Sequence, residues 1–458
     1  MKKLIVTTVL IGSICTGVFS QKSDSSIART IYDEALIKGE SYEMLEYLCL
    51  SIGHRLSGSP QAAAAVEWAR QKMVEYEFDK VELQEVMVPH WVRGDLEYGK
   101  IVNSAAIGTK EVPICALGGS IATGSNGVTA RVIEVTNFDQ LEELGRKGIE
   151  GKLVFYNRPM DARYIHTGSA YGRAVDQRHL GAATATKYGA VGVLVRSMTL
   201  AIDDVPHTGS MKYDSVGIKI PGVAISTKGA NLLSGLLKND PNLMFHMELN
   251  CKTLPDVLSY NVIGEMEGTE YPDEIILVGG HLDAWDKGHG AHDDGAGCVQ
   301  SIEALRILKA LGIKPKRTIR AVMFMNEENG LRGAKKYAAV AKEKGENHIA
   351  AIESDAGGFT PRGFGIYGEP EALKKIQSFS RVFDRYGIID LKKGWGGADI
   401  NQLKDQGVTL IGYRPDSQRY FDLHHTSEDT FDKINKRELE LGAASMAVLV
   451  YLLSEYGL

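Results

Sequence analysis

From about residue 257 onward the chain repeats one pattern: a short apolar run, a polar loop, then a helical stretch. Residues 274–278 form an apolar run that ends in Gly279-Gly280-His281. Residues 318–325 form a β-type run that ends in Asn326-Glu327-Glu328. Residues 349–352 lead into Glu353-Ser354-Asp355, and a further run spans 408–413. Between them, 297–311 reads as a helix with Val299, Ile302, Leu305 and Leu308 on one stripe, and 331–344 and 436–453 are helical as well. Alternation of this kind predicts an α/β fold: a mostly parallel mixed sheet flanked by helices. In such sheets ligands bind beyond the carboxyl ends of the strands. Three runs here end in side chains that can hold a metal: His281, the Glu327-Glu328 pair and Asp355. Two loops add Asp293-Asp294-Gly295 and His424-His425.

Zinc takes imidazole nitrogen and carboxylate oxygen, and a catalytic zinc keeps a position for water. A two-zinc site needs a carboxylate that bridges ions about 3.5–4 Å apart. One bridging carboxylate, plus one histidine and one carboxylate per ion, completes it. A further carboxylate must take the proton from the attacking water. Singly, each residue has a plain structural reading. Asp293-Asp294-Gly295 is a common turn or helix cap. Glu327-Glu328 suits a solvated helix start. His281 can be a strand-end histidine, and His424-His425 can be a loop leading to a cap. Their joint placement at successive strand ends points to a metal site.

The ordered set GGHLDAWDKGHGAHDDGAG, NEENGLRGA, ESDAGGF, GGADI and HHTSEDT resembles the two-zinc exopeptidase family, which spans bacterial aminopeptidases and glutamate carboxypeptidase. The lead-in segments IGHRLSGSP and VPHWVRG are similar to its carboxypeptidase Q branch. The resemblance covers nearly the whole chain after the first twenty residues. It implies two zinc ions per chain, held by His281, Asp293, Glu328, Asp355 and His425. Asp293 would bridge them, with a cis Asp293–Asp294 peptide, and Glu328 and Asp355 would each serve one ion. It implies Glu327 as general base and Asp283 as the carboxylate that orients His281. His424 is the alternative to His425, which is preferred because His425-Thr426 followed by Glu428, Asp429 and Thr430 fits the family pattern. His289 and His292 flank Asp293 and read as loop histidines, either of which could touch substrate. A homodimer is a further implication of the family likeness.

Residues 111–255 have another texture, with short apolar runs at 128–135, 151–156, 191–195 and 220–226. GKLVFYNR, AATATKYGAVGVLV and IPGVAIS resemble the protease-associated domain, a β-rich insert. The expected organisation is a signal peptide over 1–20, a first peptidase part over 21–110, the insert over 111–255 and a second peptidase part over 256–458. The alternative is that these runs are strands of one continuous domain. The signal is read from Lys2 and Lys3, an apolar 4–19, and small Val18 and Ser20 before a cut at Gln21. Export to the periplasm or outside follows. No later segment reads as long and apolar enough to cross a bilayer. Cys49, Cys115, Cys251 and Cys298 contain no C-x-x-C pair and read as free, buried thiols. Net charge is -6 without a basic run, so nucleic acid is not an expected partner.

Short peptides are thus the expected substrate. Rival readings are an inactive peptidase-fold receptor or scaffold, a one-zinc glutaminyl cyclase, and an endopeptidase. The pattern leaves open whether trimming starts at the amino or carboxyl end, which side chains are preferred, and whether another metal replaces zinc.

Overall fold

The computed structural model describes residues 23–215 and 217–458. The expected signal peptide lies outside the described residues. Two eight-stranded sheets organise these residues. The first runs Lys80–Val92, Lys252–Met266, Arg317–Phe324, Tyr271–His281, Asn347–Glu353, Thr409–Pro415, Pro361–Tyr367 and Asp390–Lys393. Its centre, from Arg317–Phe324 to Thr409–Pro415, is parallel, while antiparallel pairs join the flanking strands to it. The α/β class with mixed sheet and flanking helices is therefore the observed one.

Burial on both faces explains why the central strands read as continuous apolar runs. Side chains still alternate between faces. Ile276, Val278, Ile319, Ala321, Met323, Ala350 and Ile352 join the core under helices Asp24–Lys38, Ala296–Ala310 and Lys436–Tyr456. Leu277, Val322, Phe324 and Ala351 join the opposite core, under helix Arg332–Lys344. The stripe Val299, Ile302, Leu305 and Leu308 is fully buried. Leu305→Ala is expected to lower the unfolding free energy by about 2–5 kcal/mol. Urea denaturation followed by circular dichroism measures it.

Helix Lys436–Tyr456 corrects one expectation, because it is long and apolar enough to cross a bilayer. Its composition reflects its place: 83% of its most apolar window is buried inside the protein, where it packs along Ala296–Ala310. Helix Pro60–Glu75 starts as its sequence predicts, with Pro60 in the first turn and the Ser59 hydroxyl accepting from the Ala62 amide at 3.1 Å.

The second sheet draws all its strands from residues 97–249, in the order Gly108–Glu111, Glu97–Ser104, Met244–Leu249, Val128–Val135, Leu153–Tyr156, Gly192–Arg196, Gly222–Ile225 and Ile114–Ala116. The boundary expected at residue 111 falls inside this sheet. Glu97–Ser104 was not legible as one of its strands because exposed and charged positions interrupt its apolar ones. The chain leaves the first sheet at Val92 and returns at Lys252, and these two residues are paired neighbours. Cys49, Cys115, Cys251 and Cys298 are free and buried.

Candidate active site

Parallel register sets the geometry. His281 pairs with Phe324, and Gly279 pairs with Glu353. The residues that follow these strands therefore emerge at one edge. The glycines before His281 permit close approach: a Cβ on Gly280 would run into the Asp294 carboxylate.

Two donor trios form there, and they share Asp293: His281, Asp293 and Asp355 in one, and Asp293, His424 and His425 in the other, with Glu328 set against His425. His281 Nε2 lies 3.3 Å from Asp293 Oδ1 and 3.6 Å from Asp355 Oδ1. His425 Nε2 lies 3.2 Å from Asp293 Oδ2 and 3.1 Å from Glu328 Oε2. Zinc–ligand bonds of about 2.0–2.1 Å in a tetrahedron separate ligand atoms by about 3.3 Å. The histidine–carboxylate separations match that edge. Asp293 Oδ2 is buried and has no hydrogen-bond donor, as suits an oxygen reserved for a cation. Each imidazole uses its other nitrogen on the main chain: His281 Nδ1 donates to Asp283 O at 2.9 Å, and His425 Nδ1 faces Thr208 O at 3.3 Å. That tautomer leaves both Nε2 lone pairs for metal. The donor set fits zinc.

Electrostatics agree with this arrangement. Burial acts to raise the Asp293 carboxyl, but His281, His424 and His425 outweigh it and hold the group well below the carboxylate range. Burial acts to lower His425, yet Glu328 and Asp293 lift it to about 9. Burial pushes Glu328 to about 7, with Asp293 adding to the push. Burial likewise pushes Glu327 well above its ordinary range, and Asp355 and Glu328 add to that.

All the expected site residues meet here, with one change of contact. The Asp283 carboxylate does not take the His281 N–H; its Oδ1 stands 4.0 Å away. The turn after His281 brings the Asp283 main-chain carbonyl round to that proton instead. The carboxylate accepts from the amides of Asn326 at 2.7 Å and Glu327 at 3.0 Å, which fixes the turn carrying Glu327. The Asp293–Asp294 peptide is cis. His424 also reaches the site, with Nε2 3.6 Å from Asp293 Oδ2, and its ring stacks on His425 at 3.5 Å. Only His425 meets Glu328 as well. His289 and His292 serve the loops: His289 Nδ1 accepts from Phe431 N, while His292 stacks on Phe359 and accepts from Gly358 N.

Several supporting residues went unassigned in the sequence reading. Asp429 accepts from the amides of His292 at 2.7 Å and Asp293 at 3.1 Å. Arg55 is fully buried and donates to the carbonyls of Leu282, His289 and Gly290. Tyr420 donates to Asp355 at 3.3 Å. Asp429 and Arg55 lie inside HHTSEDT and IGHRLSGSP, so their motifs flagged them without giving a role. The second sheet's segment contributes too. Thr208 N donates to His425 O at 2.9 Å, and His207 Nδ1 donates to His424 O at 2.9 Å. His425 holds φ +63°, a left-handed conformation that costs a residue of its type about 1–3 kcal/mol. These bonds to 207–208 keep it there.

Fold and donor set together define a metallo-exopeptidase, a hydrolase. The pattern of Peptidase family M28 matches residues 261–450. Carboxypeptidase Q of Bos taurus is 34% identical over 437 residues, 95% of this chain and 89% of the relative. The crystal structure of a peptidase M28 precursor from Shewanella amazonensis superposes with a TM-score of 0.88 at 33% identity, covering 94% of this chain and 96% of the other. A zinc aminopeptidase from Bacillus subtilis shares the fold, with a TM-score of 0.63 at 20% identity over 90% and 94% of the two chains. The chain belongs to peptidase family M28.

Proposed function

We propose that this chain is an exported two-zinc exopeptidase that hydrolyses short, unblocked peptides, dipeptides above all, with Glu327 as general base. The carrying observation is the pair of donor trios that share Asp293 at separations of 3.1–3.6 Å. His281 and Asp355 would hold one ion, His425 and Glu328 the other. Bound zinc polarises a carbonyl oxygen and lowers the pKa of water towards about 7.

The chain's own residues supply the rest. Glu327 accepts the water's proton and returns it to the departing amine. Burial, with Asp355 and Glu328 beside it, raises its pKa, the direction that favours proton acceptance. Asp283 keeps it in place through its amide. Residues 97–249 act as a protease-associated insert that roofs the cleft and admits only short peptides. Support for the roof comes from Thr208 and His207, which bond directly to the histidine loop. Export is supported by the character of residues 1–20.

The test is a panel of free and end-blocked dipeptides, with metal analysis of the same sample. Hydrolysis of free dipeptides by protein carrying two zinc ions per chain is expected. Full activity after metal stripping, or efficient internal cuts in a long protein, would overturn the proposal.

A further inference from the structure

We infer that Arg93 is a positioning residue for one metal ion and not for the other. Through Asp286 and Thr208 it sets both Glu328 and His425, so its loss loosens the zinc held by these two and spares the zinc of His281 and Asp355. The inference rests on the two-zinc reading above.

Arg93 is the first residue after strand Lys80–Val92, where the chain leaves the first sheet, and it is 5% exposed. Its Nε and Nη2 donate to Asp286 Oδ1 at 2.9 and 2.6 Å, and Nη2 also donates to Thr208 Oγ1 at 3.1 Å. Nη1 donates to Glu97 Oε1 at 3.0 Å and to the Ala116 carbonyl. Lys287 Nζ donates to the other Glu97 oxygen at 2.6 Å. Two cations thus meet two carboxylates, and the buried charge is balanced within the protein. The planar fork of one guanidinium ties the loop after His281 to the second sheet's segment.

Each arm of the fork leads to a ligand of the same ion. Asp286 follows Trp285, whose amide donates to Glu328 Oε1 at 3.2 Å. The Trp285 ring meets Trp91 edge-on at 6.3 Å and His425 at 5.8 Å. Thr208 holds His425 twice: its amide donates to His425 O at 2.9 Å, and its carbonyl faces His425 Nδ1 at 3.3 Å. Arg93 fixes the Thr208 hydroxyl, which donates in turn to Ala116 O at 2.8 Å. The other ion's ligands have separate anchors. Leu282, next to His281, donates to Phe324 O and accepts from Arg55. The Asp283 carboxylate is fixed by the amides of Asn326 and Glu327, and Tyr420 donates to Asp355. None of these bonds involves Arg93.

Arg93→Lys tests the inference, because it keeps the buried charge but cannot span Asp286 and Thr208 together. Zinc per chain is counted after dialysis against a graded series of free zinc concentrations, with circular dichroism to confirm folding. Wild type should hold two ions. Arg93→Lys should hold one as wild type does and bind the second about 10-fold or more weakly, the usual cost of losing a ligand's outer support. Combined with Glu328→Gln, Arg93→Lys should still hold one ion tightly; combined with Asp355→Asn, it should hold neither tightly. Two ions held at wild-type affinity, an equal weakening of both, or the reverse pattern in the double variants overturns the inference. Where Arg93→Lys does not fold, Asp286→Asn breaks the same link to Trp285 and decides by the same count. Fewer than two ions on wild type overturns the two-zinc reading instead.

Discussion

Replacing Glu327 by Gln is expected to lower kcat by about 10²-fold or more, while zinc content stays at the wild-type value. The substitution keeps the side chain's shape and removes its ability to accept a proton. Glu327 and Glu328 are adjacent, so one can face the reacting water while the other reaches the His425 trio. Glu328 Oε2 lies 3.1 Å from His425 Nε2, and its Oε1 accepts from Trp285 N. Glu328→Gln should therefore reduce bound zinc as well as turnover. Steady-state kinetics paired with elemental analysis separates the two. Near-normal turnover in zinc-replete Glu327→Gln would remove Glu327 from the base role.

Asp293→Ala should abolish turnover above the metal-free background and lower zinc occupancy at both positions. Its two carboxylate oxygens are the only acid shared by the trios, so one substitution strips a donor from each. Zinc measured by mass spectrometry, with circular dichroism to confirm folding, checks the expectation. Two retained ions in the variant would contradict the shared-ligand arrangement.

How much of this was legible in the sequence depended on chain distance. His281, Glu327 and Asp355 were visible because each follows an apolar run, and a parallel sheet gathers such endings at one edge. Strands outside the parallel centre were hidden: Lys252–Met266 is largely exposed along its first half, and Pro361–Tyr367 is punctuated by Gly363 and Gly365. Asp429 reaches the Asp293 amide across 136 residues, and no local periodicity encodes such a closure. The Asp283 contact was misassigned because spacing names a residue, not which of its oxygens faces the imidazole. His207 and Thr208 gave no motif at all, since their role depends on how the second sheet's segment meets the histidine loop.

Val92 and Lys252 are paired neighbours, so a shortened chain joining them directly would still close the peptidase sheet. It would also lack Thr208 and His207, and His425 would lose the bonds that hold its left-handed backbone. The segment 97–249 is therefore separable in topology and indispensable in chemistry. Trimming or grafting it would also uncover Trp91 and Trp285 and take the Glu97, Ala116 and Thr208 partners from buried Arg93, so the scaffold and the site are coupled through this segment.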